Sequence, residues 1–102
     1  MQLTPKETER LLIFTAAELA RRRLGRGIPL SHPDAIALAC DAVLECARAG
    51  GGYEDVRAAA HGIVHRDQLL PGVAELLQGP AQVEAVFGDG TRLVPVERLV
   101  AE

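Results

Sequence analysis

The chain has 102 residues, enough for one domain with a real but modest core. Its formal charge is −3, from 11 basic and 14 acidic residues, which excludes a global basic field for nucleic acid and a strongly acidic character. Apolar residues make up 48%, yet only Phe14, Tyr53 and Phe87 are aromatic, so the core is expected to consist of Leu, Val, Ile and Ala.

Residues 1–102 are expected to form a single domain. The opening run MQLTPKETER lacks the apolar stretch of a signal peptide, and no segment is long and apolar enough to span a bilayer. In chain order, Leu3-Thr4-Pro5-Lys6-Glu7 is a helix start. Thr4 suits the N-cap, Pro5 the first helical position, and Glu7 completes a capping box. Leu11, Leu12, Thr15, Ala16 and Leu19 then form an apolar face, with Phe14 and Ala17 beside it. Lys6, Glu9, Arg10 and Glu18 fall mostly on the other side. Arg21, Arg22, Arg23 and Arg26 crowd the helix end, and Gly25 and Gly27 stop it.

Ile28-Pro29-Leu30 reads as an extended connector. The next stretch, PDAIALACDAVLECARA from Pro33 to Ala49, is the centre of the expected core. Ile36, Cys40, Val43, Leu44 and Ala47 form a broad stripe, and alanines keep much of the rest small. A helix apolar nearly all round is a buried one. Ser31 can cap it with Asp34, or His32 can be the cap with Pro33 first inside; both remain open. Cys40 and Cys46 point to different faces of this helix and cannot bridge each other. Two reduced, buried thiols fit a cytosolic chain.

Gly50-Gly51-Gly52 makes a turn, and a third helix is expected from Tyr53 to Val64, with Val56, Ala60, Ile63 and Val64 as its apolar stripe. His65 to Leu70 reads as a short helical turn and Val73 to Leu77 as another, separated by Pro71-Gly72 and closed by Gly79-Pro80. The period then changes. Val83, Ala85 and Phe87 alternate with Gln82, Glu84 and Val86, Gly88-Asp89-Gly90 turns, and Thr91 to Val96 returns. Pro95 removes a ladder donor and puts that strand at an edge. The fold class is therefore α+β: a small helical bundle of three main helices plus short turns, with a C-terminal β-hairpin. An isolated hairpin is marginal in water, so it must pack on the helices or on another chain.

No catalytic constellation emerges. His61 and His65 are four apart, but HGIVH lacks the Glu that a zinc-protease helix needs after its first His, and no third ligand lies nearby. Neither cysteine has a CxxC partner. Glu54 and Asp55 are explained by the positive end of a helix. Gly50-Gly51-Gly52 follows a helix instead of leading into one with a Lys, so it is no phosphate loop. The arginine run suits a helix C-terminus and lacks an aromatic platform, which disfavours RNA.

The string resembles the urease gamma family, the small chain of bacterial three-chain ureases. Three pieces carry the resemblance: LTPKETERLLIFTAAELARRRLGRGIPLSHPDAIAL from Leu3 to Leu38, HRDQLLPGV from His65 to Val73, and QVEAVFGDGTRLVPV from Gln82 to Val96. Leu11, Leu12, Phe14, Thr15, Ala16, Ala17, Arg22, Arg23, Gly27, Pro33 and Ala35 match the first motif. Gln82, Val83, Glu84, Ala85, Phe87, Asp89, Gly90, Thr91, Leu93 and Val94 match the hairpin. The chain departs from the family pattern over Pro71 to Leu76, at Ala60-His61, at Gly88 and over Glu97 to Val100.

The resemblance implies a non-catalytic, structural role. Urease hydrolyses urea to ammonia and carbamate at two nickel ions bridged by a carbamylated lysine, all held by the large alpha chain. By that resemblance no catalytic, cofactor-binding or metal-binding residue is expected in this chain. Its partners would be the urease alpha and beta subunits in a trimer of alpha-beta-gamma units, in the cytoplasm, with no nucleic acid and no membrane. Two other readings stand beside it: a divergent paralogue acting as a free-standing helical interaction module, and a small RNA-binding domain using Arg21, Arg22, Arg23 and Arg26.

Overall fold

A computed structural model describes residues 2–102; Met1, which opens the run read as lacking a signal peptide, lies outside the described residues. The first helix, α1, spans Pro5–Gly25. Its capping box forms as the sequence indicates. The Glu7 amide donates to the Thr4 hydroxyl at 3.1 Å, and the Thr4 amide donates to the Glu7 carboxylate at 2.9 Å. The Thr4 amide foremost, and then the Thr4 side chain, hold the Glu7 carboxyl below its ordinary value. Gly27 takes φ +71° just past the helix end, a conformation that suits glycine.

The connector is pinned by Leu30. Its amide donates to the Gln68 carbonyl at 2.8 Å, and its carbonyl accepts from the Leu70 amide at 2.9 Å. Helix α2 spans His32–Arg48, and Ser31 is its cap. The Asp34 amide donates to Ser31 Oγ at 3.3 Å, and the Ser31 amide donates to the Asp34 carboxylate at 3.0 Å. Ala35, Ala37, Leu38, Ala39, Cys40, Val43 and Ala47 are buried along it. Ile36 and Leu44, read as part of its stripe, are only partly buried, as is Cys46, read as a buried thiol. The helix packs against α1, the C-terminal hairpin and α3 (Tyr53–Ala58), so it is the central element.

The third helix is shorter than expected. It stops at Ala58, and the chain turns through Ala59 to Gly62 before a two-residue strand, β1 (Val64–His65). Gly62 adopts φ +68°, and its amide donates to the Arg98 carbonyl at 2.7 Å instead of continuing a helix. β1 pairs in parallel with β4 (Val100–Ala101), in the register Val64↔Val100 and His65↔Ala101. The periodicity of Val56, Ala60, Ile63 and Val64 was thus misleading. Val56, Ala60 and Val64 are indeed buried, but a turn and a strand take over after the first of them.

A single 3-10 turn, Arg66–Gln68, shorter than the His65–Leu70 turn read from the sequence because His65 pairs in β1 and Leu69 is extended, and the expected short helix, α4 (Val73–Leu76), follow. The hairpin consists of β2 (Gln82–Phe87) and β3 (Gly90–Pro95), closed by Gly88-Asp89 with Phe87 opposite Gly90. Ala85 and Val94 are fully buried, while Val86 and Leu93 face outward. Each strand has one neighbour, so Pro95 does sit on an edge. Tyr53 and Phe87 meet at 5.9 Å between ring centroids, with the Arg92 guanidinium 5.7 Å from each, tying the start of α3 to the hairpin. The mixed α+β architecture is the one read from the sequence.

Candidate functional site

Helix α1 is apolar on two sides. Ala17 and Ala20 are fully buried, with Ile13 and Leu24 packed against the same core. On the opposite side of the cylinder, Leu11, Leu12 and Leu19 are 47%, 65% and 47% exposed, and Phe14 nearby is 46% exposed. The face read from the sequence as the apolar one is therefore the outward one. The physical reason lies in α2, which offers small residues and two buried carboxylates to its neighbour.

Those carboxylates are Asp34 and Asp41, the two buried charged residues among the described ones. They are spaced seven apart and so lie along one line of α2. Arg23 reaches Asp34 at 2.7 Å. Arg21 pairs with the other Asp41 oxygen and, at 2.9 Å, with Glu18. Arg10 Nη2 meets Asp41 and Glu45, each at 2.9 Å. Partial burial works against the charge on Arg21, but the Asp41 and Glu18 carboxylates outweigh it and hold the guanidinium above its usual value. Arg10 Nη1 is buried without a hydrogen-bond partner, so the network is not perfectly satisfied. Sequence reading missed this lattice. Its signal is an acidic pair at i and i+7 on an otherwise apolar helix, facing a helix rich in arginine.

The arginine run is thus partly consumed within the chain. Arg21 and Arg23 are engaged by carboxylates, which removes half of the cationic set proposed for RNA. His61 and His65 are exposed and do not share a helix: one lies in the turn after α3, the other in β1. Burial pushes the Cys40 thiol up, so it stays protonated, while Cys46 is half-buried and also free. Among the described residues, no group of three or more His, Cys, Asp and Glu comes close enough to hold a metal ion. These residues do not fit a nickel centre.

Two further surfaces are open. The outer side of the hairpin carries Val86 and Leu93, 65% and 59% exposed and diagonal to each other across the ladder. Beside it a groove of about 590 Å³ runs between α1, α2 and β2, with Ile13, Leu44, Val83 and Val86 along it and Arg10 and Arg48 at its sides. Lys6 spans from α1 to Glu84 on β2 at 2.8 Å, and that hydrogen bond raises the lysine's pKa above its ordinary value. No helix is long and apolar enough to cross a membrane. The exposed apolar residues sit on two rigid elements, α1 and the hairpin, with charged residues among them, the composition of a surface that meets protein.

Comparison with known proteins supplies the context for such a surface. The family described as "Urease, gamma subunit" has a sequence model that matches residues 1–100. A curated relative from Ruegeria sp. (strain TM1040), "Urease subunit gamma", is 51% identical over 96 residues, covering 94% of this chain and 95% of that protein. Near-complete coverage of both sequences, on a fold that leaves several large apolar side chains of α1 outside, has one reading: the chain belongs to the urease gamma subunit family.

Proposed function

We infer that the chain is a structural subunit of urease, using the outward face of α1 and the outer side of the hairpin to hold the complex together. Membership of the gamma family makes it a urease component and a non-catalytic one, which associates with other urease subunits. The finer assignment is our reading. The partners are the alpha and beta chains, in a trimer of alpha-beta-gamma units, with residues 1–102 acting as one domain in the cytoplasm. The nickel ions belong to the alpha chain, and no residue of this chain serves as a catalytic or metal-binding group.

The observation that carries this reading is the exposure of Leu11, Leu12, Phe14 and Leu19 on one long helix. Covering the exposed half of each such side chain contributes on the order of 1 kcal/mol, so a partner seated on all four gains several kcal/mol before any polar contact. Each side chain is large, and the helix beneath it is rigidly clamped, which keeps the ordering penalty of docking small.

Co-expression with the candidate alpha and beta chains tests it, read by sizing and by a urea-dependent ammonia assay with nickel supplied. The expected result is one large complex, with ammonia only when all three chains are present. If the other two assemble and work without this chain, its role is that of a free-standing interaction module.

A further inference from the structure

We propose that Asp41, through Arg10 and Arg21, is a positioning residue that decides which face of α1 is presented to the partner subunits. The inference rests on the assembly reading above and adds to it the device that makes the docking face available.

Hydrophobic sorting alone does not give the observed orientation. One side of α1 offers Ile13, Ala17, Ala20 and Leu24, while the other offers Leu11, Leu12 and Leu19, with Phe14 close by. The larger apolar set is the one left in water, where free burial would favour the reverse. A roll of the helix about its axis would exchange the two.

The charges oppose that roll. Arg10 and Arg21 are eleven apart, three turns of helix, and so share a line. That line flanks the alanine face on one side, and Arg23 flanks it on the other. All three reach carboxylates of α2: Arg10 and Arg21 reach Asp41, and Arg23 reaches Asp34. Rolling α1 to bury its leucines would carry the arginines away, leaving Asp41 unpaired and Asp34 with only its bond from the Ser31 amide. Unpaired buried charge is far more unfavourable than the exchange of apolar surface is favourable. Buried ion pairs are poor general stabilisers, and here Arg10 Nη1 is left without a partner. Such a network is better suited to selecting one arrangement than to deepening it.

A competing account is shape alone: a seat formed for Ala17 and Ala20 would not admit leucine. The full chain distinguishes the two in a pair of variants. Asp41→Asn removes the charge at nearly constant shape. The combined variant Arg10→Gln, Arg21→Gln, Arg23→Gln, Asp34→Asn, Asp41→Asn neutralises the whole network and adds no apolar surface to either α1 face. Leucine and valine methyl groups are labelled, and a soluble paramagnetic gadolinium chelate reports their solvent exposure at a concentration where sizing gives a monomer. Helix content is read alongside.

In the parent chain the Leu12 and Leu19 methyls should be strongly broadened by the chelate and those of Val43 spared. In the folded variants the Leu12 and Leu19 broadening should fall toward the Val43 level, and capture by co-expressed alpha and beta chains should be lost together with it. Retention of the parent pattern in either folded variant overturns the proposal, and retention in the fully neutralised one does so in favour of shape. Loss of the fold in both variants overturns it as well, since the network is then a requirement of folding and not a choice between faces. Failure of the parent itself to join the other chains defeats the assembly reading, while the methyl measurement still decides whether Asp41 sets the outward face.

Discussion

At the scale of single residues, the positions that matter most are those where geometry leaves no slack. Ser31 caps the central helix through a reciprocal pair of bonds with Asp34, so Ser31→Ala should destabilise the chain by about 1 kcal/mol. Urea unfolding checks this as a lower midpoint at an unchanged slope. Gly51 is different in kind. A Cβ there would lie 2.8 Å from Cys46 Sγ and 3.0 Å from the Cys46 carbonyl oxygen. The thiol can swing aside but the carbonyl cannot. Gly51→Ala should therefore cost about 1–3 kcal/mol, and adding Cys46→Ala should restore only part of it. Cys40 titrates in a defined direction. Burial raises its folded pKa, so its contribution to stability is complete below the unfolded value of about 8.5 and is lost as pH climbs through the higher folded value. Unfolding curves at neutral and alkaline pH, with Cys40→Ala as the control that flattens the difference, measure it.

At the scale of elements, α1 is the instructive case, because its two faces answer mutation differently. Leu12→Ser and Leu19→Ser change exposed side chains, so the free chain should move by no more than about 0.5 kcal/mol while capture by the partner chains falls sharply. Ala17→Leu, at a fully buried position, should instead destabilise the free chain by about 1–3 kcal/mol through overpacking. Calorimetry of the isolated chain beside pull-down of the complex separates the two effects. The same helix shows what a sequence conceals. Its boundaries, cap and termination were legible, because Thr4, Pro5, Glu7 and Gly27 act locally. Its buried face was not, because leucine outweighs alanine in any periodicity while the decisive partners, Asp34 and Asp41, lie on another helix. The C-terminal hairpin was legible down to its Asp-Gly turn for the same local reason. The true end of α3 was signalled only by Gly62. The strands β1 and β4 are two residues long, too short for any period to register.

Across the whole molecule, stability is expected to decline in acid before it does near neutrality. The carboxyls of Glu7, bonded by Thr4, and Glu75, bonded by Arg66, are both held below their ordinary value. Their contribution is present above the unfolded carboxylate range of about 4.3 and disappears as pH falls through the lower folded values. Glu75 faces an exposed charge, so its part of the effect should shrink with added salt, while that of Glu7, bonded by neutral Thr4, should persist, which a thermal-melt series in pH and ionic strength would show. Far more depends on closure at the other end of the chain. Leu99 is 2% exposed beside the β1–β4 pair, and Leu99→Ala should cost about 2–5 kcal/mol, read by the same melts.

The pairing of Val64 with Val100 also has a meaning in time. The α1–α2 hairpin is made of neighbours in sequence and can form once residue 48 has left the ribosome. The partner of Val64 is made 36 residues after it (100 − 64 = 36), an interval on the order of seconds at a ribosome's pace of about 5–20 residues per second. Throughout that interval the leucines of α1 are already displayed on a helical pair whose own fold is unfinished. The nascent chain thus advertises its adhesive face before it can lock its core. Released chains truncated just before Leu99 should be protease-sensitive and the full chain protected, and a chaperone or an early-arriving subunit would find its earliest foothold on α1.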